Sequence, residues 1–358
     1  MLLSRLILYE TRLEEPNYLA KLITLVAMPE VLVATPLKPS TATRPYDFAD
    51  RISIRELSPI LWDISVVKGY ISETDRRKID KAKYWLCASQ ECGYASPDSG
   101  KELFTKARNA ALALQVICPS GAMHIFLKFQ RVENGYDNIG SHRLKELCTT
   151  FLGERAYAEN LGLEKDFEAV YAGVSRAFTE KVVRFQNPLI LLEEGMQTGH
   201  PSLGALLFVI GLDMIFMAGG IENFMRRLGG FLGTDSYVFP PITSKNLRPK
   251  TRVHDVLYEL YEFRNIIAHG LEIPGTPYGQ KSDLISTEGE RISYDDHRRG
   301  NLMLESSLFM LTTSLRKIFL ENLFDEAKYP EKWRIRMKLY EHRYQEAGGP
   351  EAKKQRGR

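Results

Sequence analysis

Leu257-Tyr-Glu-Leu-Tyr-Glu-Phe-Arg-Asn-Ile-Ile-Ala-His-Gly270 is the stretch on which the reading of this chain turns. Its apolar residues recur at helical spacing. With Val253 and Val256 ahead of them, Leu257, Leu260, Phe263 and Ile267 fall on one side of a helix from Val253 to His269, with Gly270 as its stop. Those six positions are expected in a core. Tyr258, Glu262, Asn265 and His269 fall on the opposite side, three or four residues apart, so neighbours on that face can share a ligand. Arg264 lies at the edge of the apolar stripe. A guanidinium there must reach outward or meet a carboxylate, because an unpaired buried charge is costly. Asp213 and Glu222, on the preceding long apolar stretch, are the candidate partners.

An arginine, an amide and an imidazole together suffice to bind a phosphodiester and move its protons. The spacing alone is common. Within a loose window of four to six residues Arg248 with His254, Arg291 with His297 and Arg336 with His342 also qualify but lack the Asn, and Arg108-Asn109 has no His after it. Only Arg264-Asn265 with His269 combines dipeptide, spacing, helix and terminal Gly270. A purely structural reading stands beside the chemical one. In it Asn265 caps backbone groups, His269 sits at the negative end of the helix dipole, and Gly270 is an ordinary helix stop.

The flanking sequence divides the chain into an α+β whole. Residues 1–155 read as a mixed domain of unassigned role. Prolines 29, 36, 39 and 45 with the Ser/Thr-rich 39–43 mark a loop, strands are expected within 52–67 and 122–132, and helices within 74–88 and 103–114. Residues 156–330 read as helical. One amphipathic helix is expected over 163–185, stopped by Asn187-Pro188, with a short continuation over 189–196. A long apolar helix over 202–232 should kink or split at Gly219-Gly220. Loops are expected over 233–250 and 271–292, and a further amphipathic helix over 301–327. Residues 331–358 read as a short helix over 333–345 and a basic, disordered tail.

The segment Tyr258–Gly270 resembles the signature of the HEPN superfamily, whose ribonuclease members carry Arg, a polar residue, a short spacer and His. It looks most like the Apea-like HEPN group, with an aromatic-rich helix ahead of the motif and a Gly behind it. The apolar helix Leu206–Ile215 with its one acid, Arg226-Arg227-Leu228 after it, and a closing amphipathic helix over 302–324 extend the resemblance to roughly residues 160–330. Asp213, one methylene shorter, stands where that group tends to show a Glu. The resemblance implies an all-α bundle that forms a homodimer through the motif helix, with the polar residues of both copies lining one cleft. It implies a metal-independent endoribonuclease without cofactor, in which Arg264 binds the scissile phosphate, Asn265 orients the imidazole or the phosphate, and His269 serves as base or acid. The RNA would carry its own nucleophile. Asp213, Glu222, Tyr258 and Glu262 would support the site. The implied setting is prokaryotic antiviral defence or toxin-like growth arrest, with the first 155 residues sensing a trigger or regulating the nuclease. The rival is a non-catalytic HEPN module that binds nucleotide or RNA, or mediates assembly.

Bulk properties set bounds without choosing. The chain has 358 residues, 44% hydrophobic and 26% charged, with a formal net charge of +3. That charge neither requires nor opposes a nucleic-acid partner. Arg226, Arg227, Lys245, Arg248, Lys250 and Arg252 flank the motif and are candidates for tracking an RNA backbone. Tyr258, Tyr261 and Phe263 are candidates for stacking a base, with Phe263 the best core residue of the three. Four scattered cysteines fit a reducing cytoplasm. Cys87 and Cys92 with His124 and His142 lack zinc-site spacing, and buried free thiols are the simpler expectation. Gly219-Gly220 and Gly229-Gly230 lack the Lys-Ser/Thr of a phosphate loop. Glu193-Glu194 reads as a solvated helix face. No secretory signal is expected at 1–15. The run Leu203–Ile221 carries Asp213 and four glycines, so a buried helix is expected rather than a membrane span.

Overall fold

The computed structural model describes residues 30–37, 44–57, 79, 81–91, 97–119, 125–132, 135–143, 163–198, 200–236, 252–268, 282–285, 291–294 and 296–347. Among them the chain is mostly helical, with one larger antiparallel sheet.

The sheet holds β1 (Glu30–Pro36), β2 (Tyr46–Asp47), β3 (Ile52–Glu56), β4 (Tyr84–Glu91), β5 (Ile125–Val132) and β6 (Gly135–Arg143), in the order β2-β3-β4-β1-β5-β6. Side chains alternate between two apolar layers, as a period of two requires. Val31, Val33, Ile52, Ile54, Leu86 and Ala88 join the main core, whereas Leu32, Ala34, Trp85, Cys87 and Leu127 form a second cluster on the other face. Helix α1 (Pro97–Ile117) covers the first face with an alanine-rich surface, including Ala107, Ala110, Ala111 and Leu114. The strands expected within 52–67 and 122–132 are present as β3 and β5, and the helix expected within 103–114 is part of α1. The helix expected over 74–88 is corrected from Tyr84 on, and its residues 74–78 and 80 lie outside the described residues: β4 occupies 84–91, and the alternation of Trp85 and Cys87 against Leu86 and Ala88 is what a strand buried on both faces needs.

The helical part consists of α2 (Leu163–Thr179), α3 (Val183–Gln197), α4 (Pro201–Phe216), α5 (Ile221–Leu232), α6 (Val253–Ala268), α7 (Asp296–Leu320), α8 (Phe324–Lys328) and α9 (Pro330–Glu346). The single helix expected over 163–185 is two. Lys181 takes a left-handed φ of 53°, while Val182 N–H bonds back to the Ala177 carbonyl and Lys181 N–H to that of Phe178. This is a Schellman stop made without glycine. Pro188, expected to end a helix, lies inside α3, buried against the close approach of Gly211 on α4. The long apolar helix splits as expected: α4 and α5 meet at 79°. Among the described residues no single helix is long and apolar enough to cross a membrane, and this bent pair passes only jointly. The loop expected over 271–292 contains strands β7 (Ser282–Ile285) and β8 (Arg291–Tyr294), paired antiparallel. The helix expected over 301–327 starts earlier and breaks at Asn322, again left-handed, before α8. The basic tail lies outside the described residues.

One buried core runs from the sheet through α1 into the bundle. Polar contacts reinforce the junction. Glu193 of α3 is only 4% exposed and is gripped by Arg108 of α1, so the solvated face expected of Glu193-Glu194 is corrected at its first residue. Tyr171 of α2 donates its hydroxyl to Asp50, which also pairs with Lys106 of α1. Helix α9 packs into the bundle by burying Trp333, Met337, Tyr340 and Tyr344.

Candidate active site

The expected apolar face of α6 is buried: Val253, Val256, Leu257, Leu260 and Phe263 are at most 2% exposed, and Ile267 packs partly buried against the same core. Helical geometry therefore leaves Tyr258, Glu262 and Asn265 on the outer side, where Tyr258 is 52% exposed. His269 lies one residue beyond the end of α6 and outside the described residues, as does Gly270.

Arg264 emerges at the flank of the buried stripe. Its Nη1 donates to Asn265 Oδ1 at 2.9 Å, which draws the guanidinium round to the outer face. Its Nη2 lies 3.7 Å from Asp213 Oδ2 on α4, an ion pair longer than a hydrogen bond. The guanidinium carbon sits 5.3 Å from the Tyr261 ring centroid, and that ring leans on Phe224 of α5. Nε is buried without a hydrogen-bond partner among the described residues. Arg264 remains 28% exposed and Asp213 19%, so the pair is reachable from solvent.

Asp213 owes its position to the break between α4 and α5. Met217 is left-handed and Ala218 N–H bonds back to the Asp213 carbonyl, a second Schellman stop without glycine. Asp213 Oδ1 accepts from Gly219 N–H at 3.2 Å, leaving Oδ2 for Arg264. Neighbouring groups satisfy the carbonyls of Ile215, Phe216 and Met217 at that helix end. The Trp333 indole donates to the Ile215 carbonyl at 2.6 Å, and Arg227 donates to those of Phe216 and Met217 while pairing with Glu341.

The two acids expected near Arg264 thus part company. Asp213 reaches it, whereas Glu222 pairs with Arg226 one turn along α5 at 2.5 Å. Among the expected backbone-tracking cations, Arg227 is turned into the fold by Glu341 and the two carbonyls, and Arg252 faces Asp235 at 3.3 Å. Lys245, Arg248 and Lys250 lie outside the described residues. Phe263 is core, and Tyr261 is buried under Arg264, which leaves Tyr258 as the exposed aromatic of the three. Sequence reasoning did not foresee Asn265 as the acceptor for Arg264, nor Trp333 and Arg227 as the closure of α4. The first is a contact between chain neighbours that residue type does not announce, and nothing in the spacing of Trp333 or Arg227 signals contact with the end of α4.

Cys87 and Cys118 are buried. Burial pushes the Cys87 thiol up to about 12, so it stays protonated at neutral pH and is a poor metal ligand. Cys92, His124 and His142 lie outside the residues whose side chains are described.

Chemically, Arg264 offers a cation whose fork is partly spent on Asn265 and Asp213 but open to solvent. An anion arriving there meets Nη donors already oriented by two partners. No family model, curated protein or solved structure matches this chain.

Proposed function

We propose that this protein is a metal-independent endoribonuclease of HEPN type. The observation that carries the proposal is the fixing of Arg264 between Asn265 and Asp213 at the solvent edge of α6. A guanidinium so held loses little freedom on binding a phosphate, and its charge is poised for the negative charge that grows on the phosphoryl oxygens in the transition state. His269, four residues beyond Asn265 in sequence, is the proton-transfer group. In the reaction the RNA 2′-oxygen attacks the adjacent phosphorus and gives its proton to a base. The bond from phosphorus to the 5′-oxygen breaks, and that oxygen takes a proton from an acid. The products are a 2′,3′-cyclic phosphate and a 5′-hydroxyl.

Base and acid are two roles, and one chain supplies one His269. A homodimer with two motif helices facing each other supplies both. Arg226 and Arg252 with Lys245, Arg248 and Lys250 serve to track the RNA backbone, and Arg227 belongs to the fold. We place the activity in the cytoplasm, in antiviral defence or growth arrest, with the first 155 residues as the sensing or regulating part.

The test is cleavage of total RNA by the full chain and by His269→Ala in EDTA, with end-group analysis. Cleavage that persists in EDTA, leaves cyclic phosphate and disappears in the variant is the expected result. Equal cleavage by both proteins overturns the assignment of His269. RNA binding without cleavage by either favours the non-catalytic module.

A further inference from the structure

Helix α6 carries a second feature beside the phosphate-binding pair. Tyr258 stands 52% exposed, with no ring, cation or hydrogen-bond partner among the described residues. One turn on, Glu262 is half-buried and makes no ion pair or hydrogen bond among them either. This contrasts with the surrounding acids: Glu222 is paired with Arg226, Asp213 with Arg264, Asp235 with Arg252 and Glu341 with Arg227. An aromatic face and a carboxylate that meet no partner among the described residues, at positions i and i+4, are neighbours on the helix surface. Asn265 follows at i+7 on the same side. The helical rise places Tyr258 about 10 Å from it along the axis, a span of one to two nucleotides of extended chain from a phosphate at Arg264.

We infer that Tyr258 and Glu262 form a base-binding subsite that takes an unpaired guanine of single-stranded RNA, next to the phosphate held by Arg264. The inference rests on the RNA reading above. Stacking accounts for Tyr258: a splayed-out base covers the phenol face, which a base inside a duplex cannot do. The choice of base follows from Glu262. An ionised carboxylate accepts hydrogen bonds and donates none. Guanine alone presents two adjacent donors, N1–H and the N2 amino group, on its Watson–Crick edge. Adenine and cytosine each set a ring-nitrogen acceptor beside their amino donor, and uracil flanks its single donor with two acceptors, so each turns a lone pair on the carboxylate. The buried Tyr261 and Phe263 are unavailable for this role, which leaves Tyr258 as the stacking platform.

The experiment measures binding of 2′-O-methyl octamers to the full chain at fixed salt; the methyl group removes the nucleophile, so binding is read without turnover. All-adenosine is compared with adenosine carrying one central guanosine, each single-stranded and paired with its complement. The guanosine octamer should bind roughly tenfold tighter than all-adenosine, the scale of one bidentate base contact, and either single strand should bind tighter than its duplex. Glu262→Gln should keep binding and erase the guanosine preference. Tyr258→Ala should weaken both single strands by about tenfold, and Tyr258→Phe should retain them. Equal affinity for the two octamers, equal affinity for duplex and single strand, or no binding to any of them overturns the subsite. The nuclease reading is judged apart from this, by whether His269→Ala abolishes cleavage of total RNA.

Discussion

Asp213 serves two partners with one carboxylate. Oδ1 receives the Gly219 amide and so closes the end of α4, and Oδ2 faces Arg264 across 3.7 Å. The short side chain explains the length of that pair: an Asp committed to its own helix end cannot also extend to hydrogen-bond distance. The two tasks can be separated by mutation. Asp213→Asn keeps an acceptor for Gly219 and removes the charge opposite Arg264. The expected outcome is a folded protein with RNA cleavage lowered about tenfold, while Arg264→Ala, which removes the phosphate ligand itself, lowers it by roughly a hundredfold or more. Cleavage rates beside thermal melts decide it; an Asp213→Asn variant with wild-type activity would show that the carboxylate does not position Arg264. Residue types and helical spacing made Arg264, Asn265 and the choice of acids legible in advance. Which of the two acids reaches the arginine was not legible, because it depends on the 79° bend between α4 and α5.

Among the elements, helix ends decide more than helix interiors. Sequence punctuation predicts a stop at Gly219-Gly220, where one occurs, and at Asn187-Pro188, where none does. The chain stops α2, α4 and α7 with left-handed Lys181, Met217 and Asn322, of which only Asn is a residue type that enters that conformation readily. The bonds that close α2 and α7 are backbone ones, Val182 N–H to the Ala177 carbonyl and Leu323 N–H to that of Ile318, so pattern reading passed over Lys181 and Asn322. Gly233 caps α5 in the ordinary way, and other glycines act as contact points. Gly229-Gly230 on α5 lies against α9, where a Cβ on Gly230 would come within 1.9 Å of the Tyr340 carbonyl oxygen. That neighbour is backbone and cannot rotate away. Gly230→Ala should therefore push α9 off α5 and lower stability by roughly 3 kcal/mol, as overpacking a close helix contact does. Gly220→Ala, with nothing within 4 Å and an extended backbone, should be tolerated. Urea midpoints of the two variants against wild type measure the difference; similar midpoints for Gly230→Ala and wild type would mean that α5 and α9 do not approach as closely as described.

For the whole molecule, the sheet and the bundle share one buried core, and Arg108–Glu193 and Tyr171–Asp50 cross the junction between them. Glu193 is the more buried member of its pair, and separating the two parts would leave its carboxylate without a counter-charge. Sheet and bundle should therefore open together. Native-state hydrogen exchange should find the slowest amides of β4 and α4 exchanging through the same global opening; β4 amides released at far lower denaturant than those of α4 would show two independent units.

The amino-acid sequence by itself determined the α+β class, the buried face of α6, the split between α4 and α5, and the outer position of Tyr258, Glu262 and Asn265, because periodicity is a local property that any window of a few turns displays. Only the tertiary structure decided that residues 84–91 form a strand, that Glu193 is buried, that Arg227 and Trp333 close α4, and that Asp213 rather than Glu222 meets Arg264. Those outcomes depend on groups distant in sequence arriving at the same place, and packing, rather than local preference, sets which of them arrive.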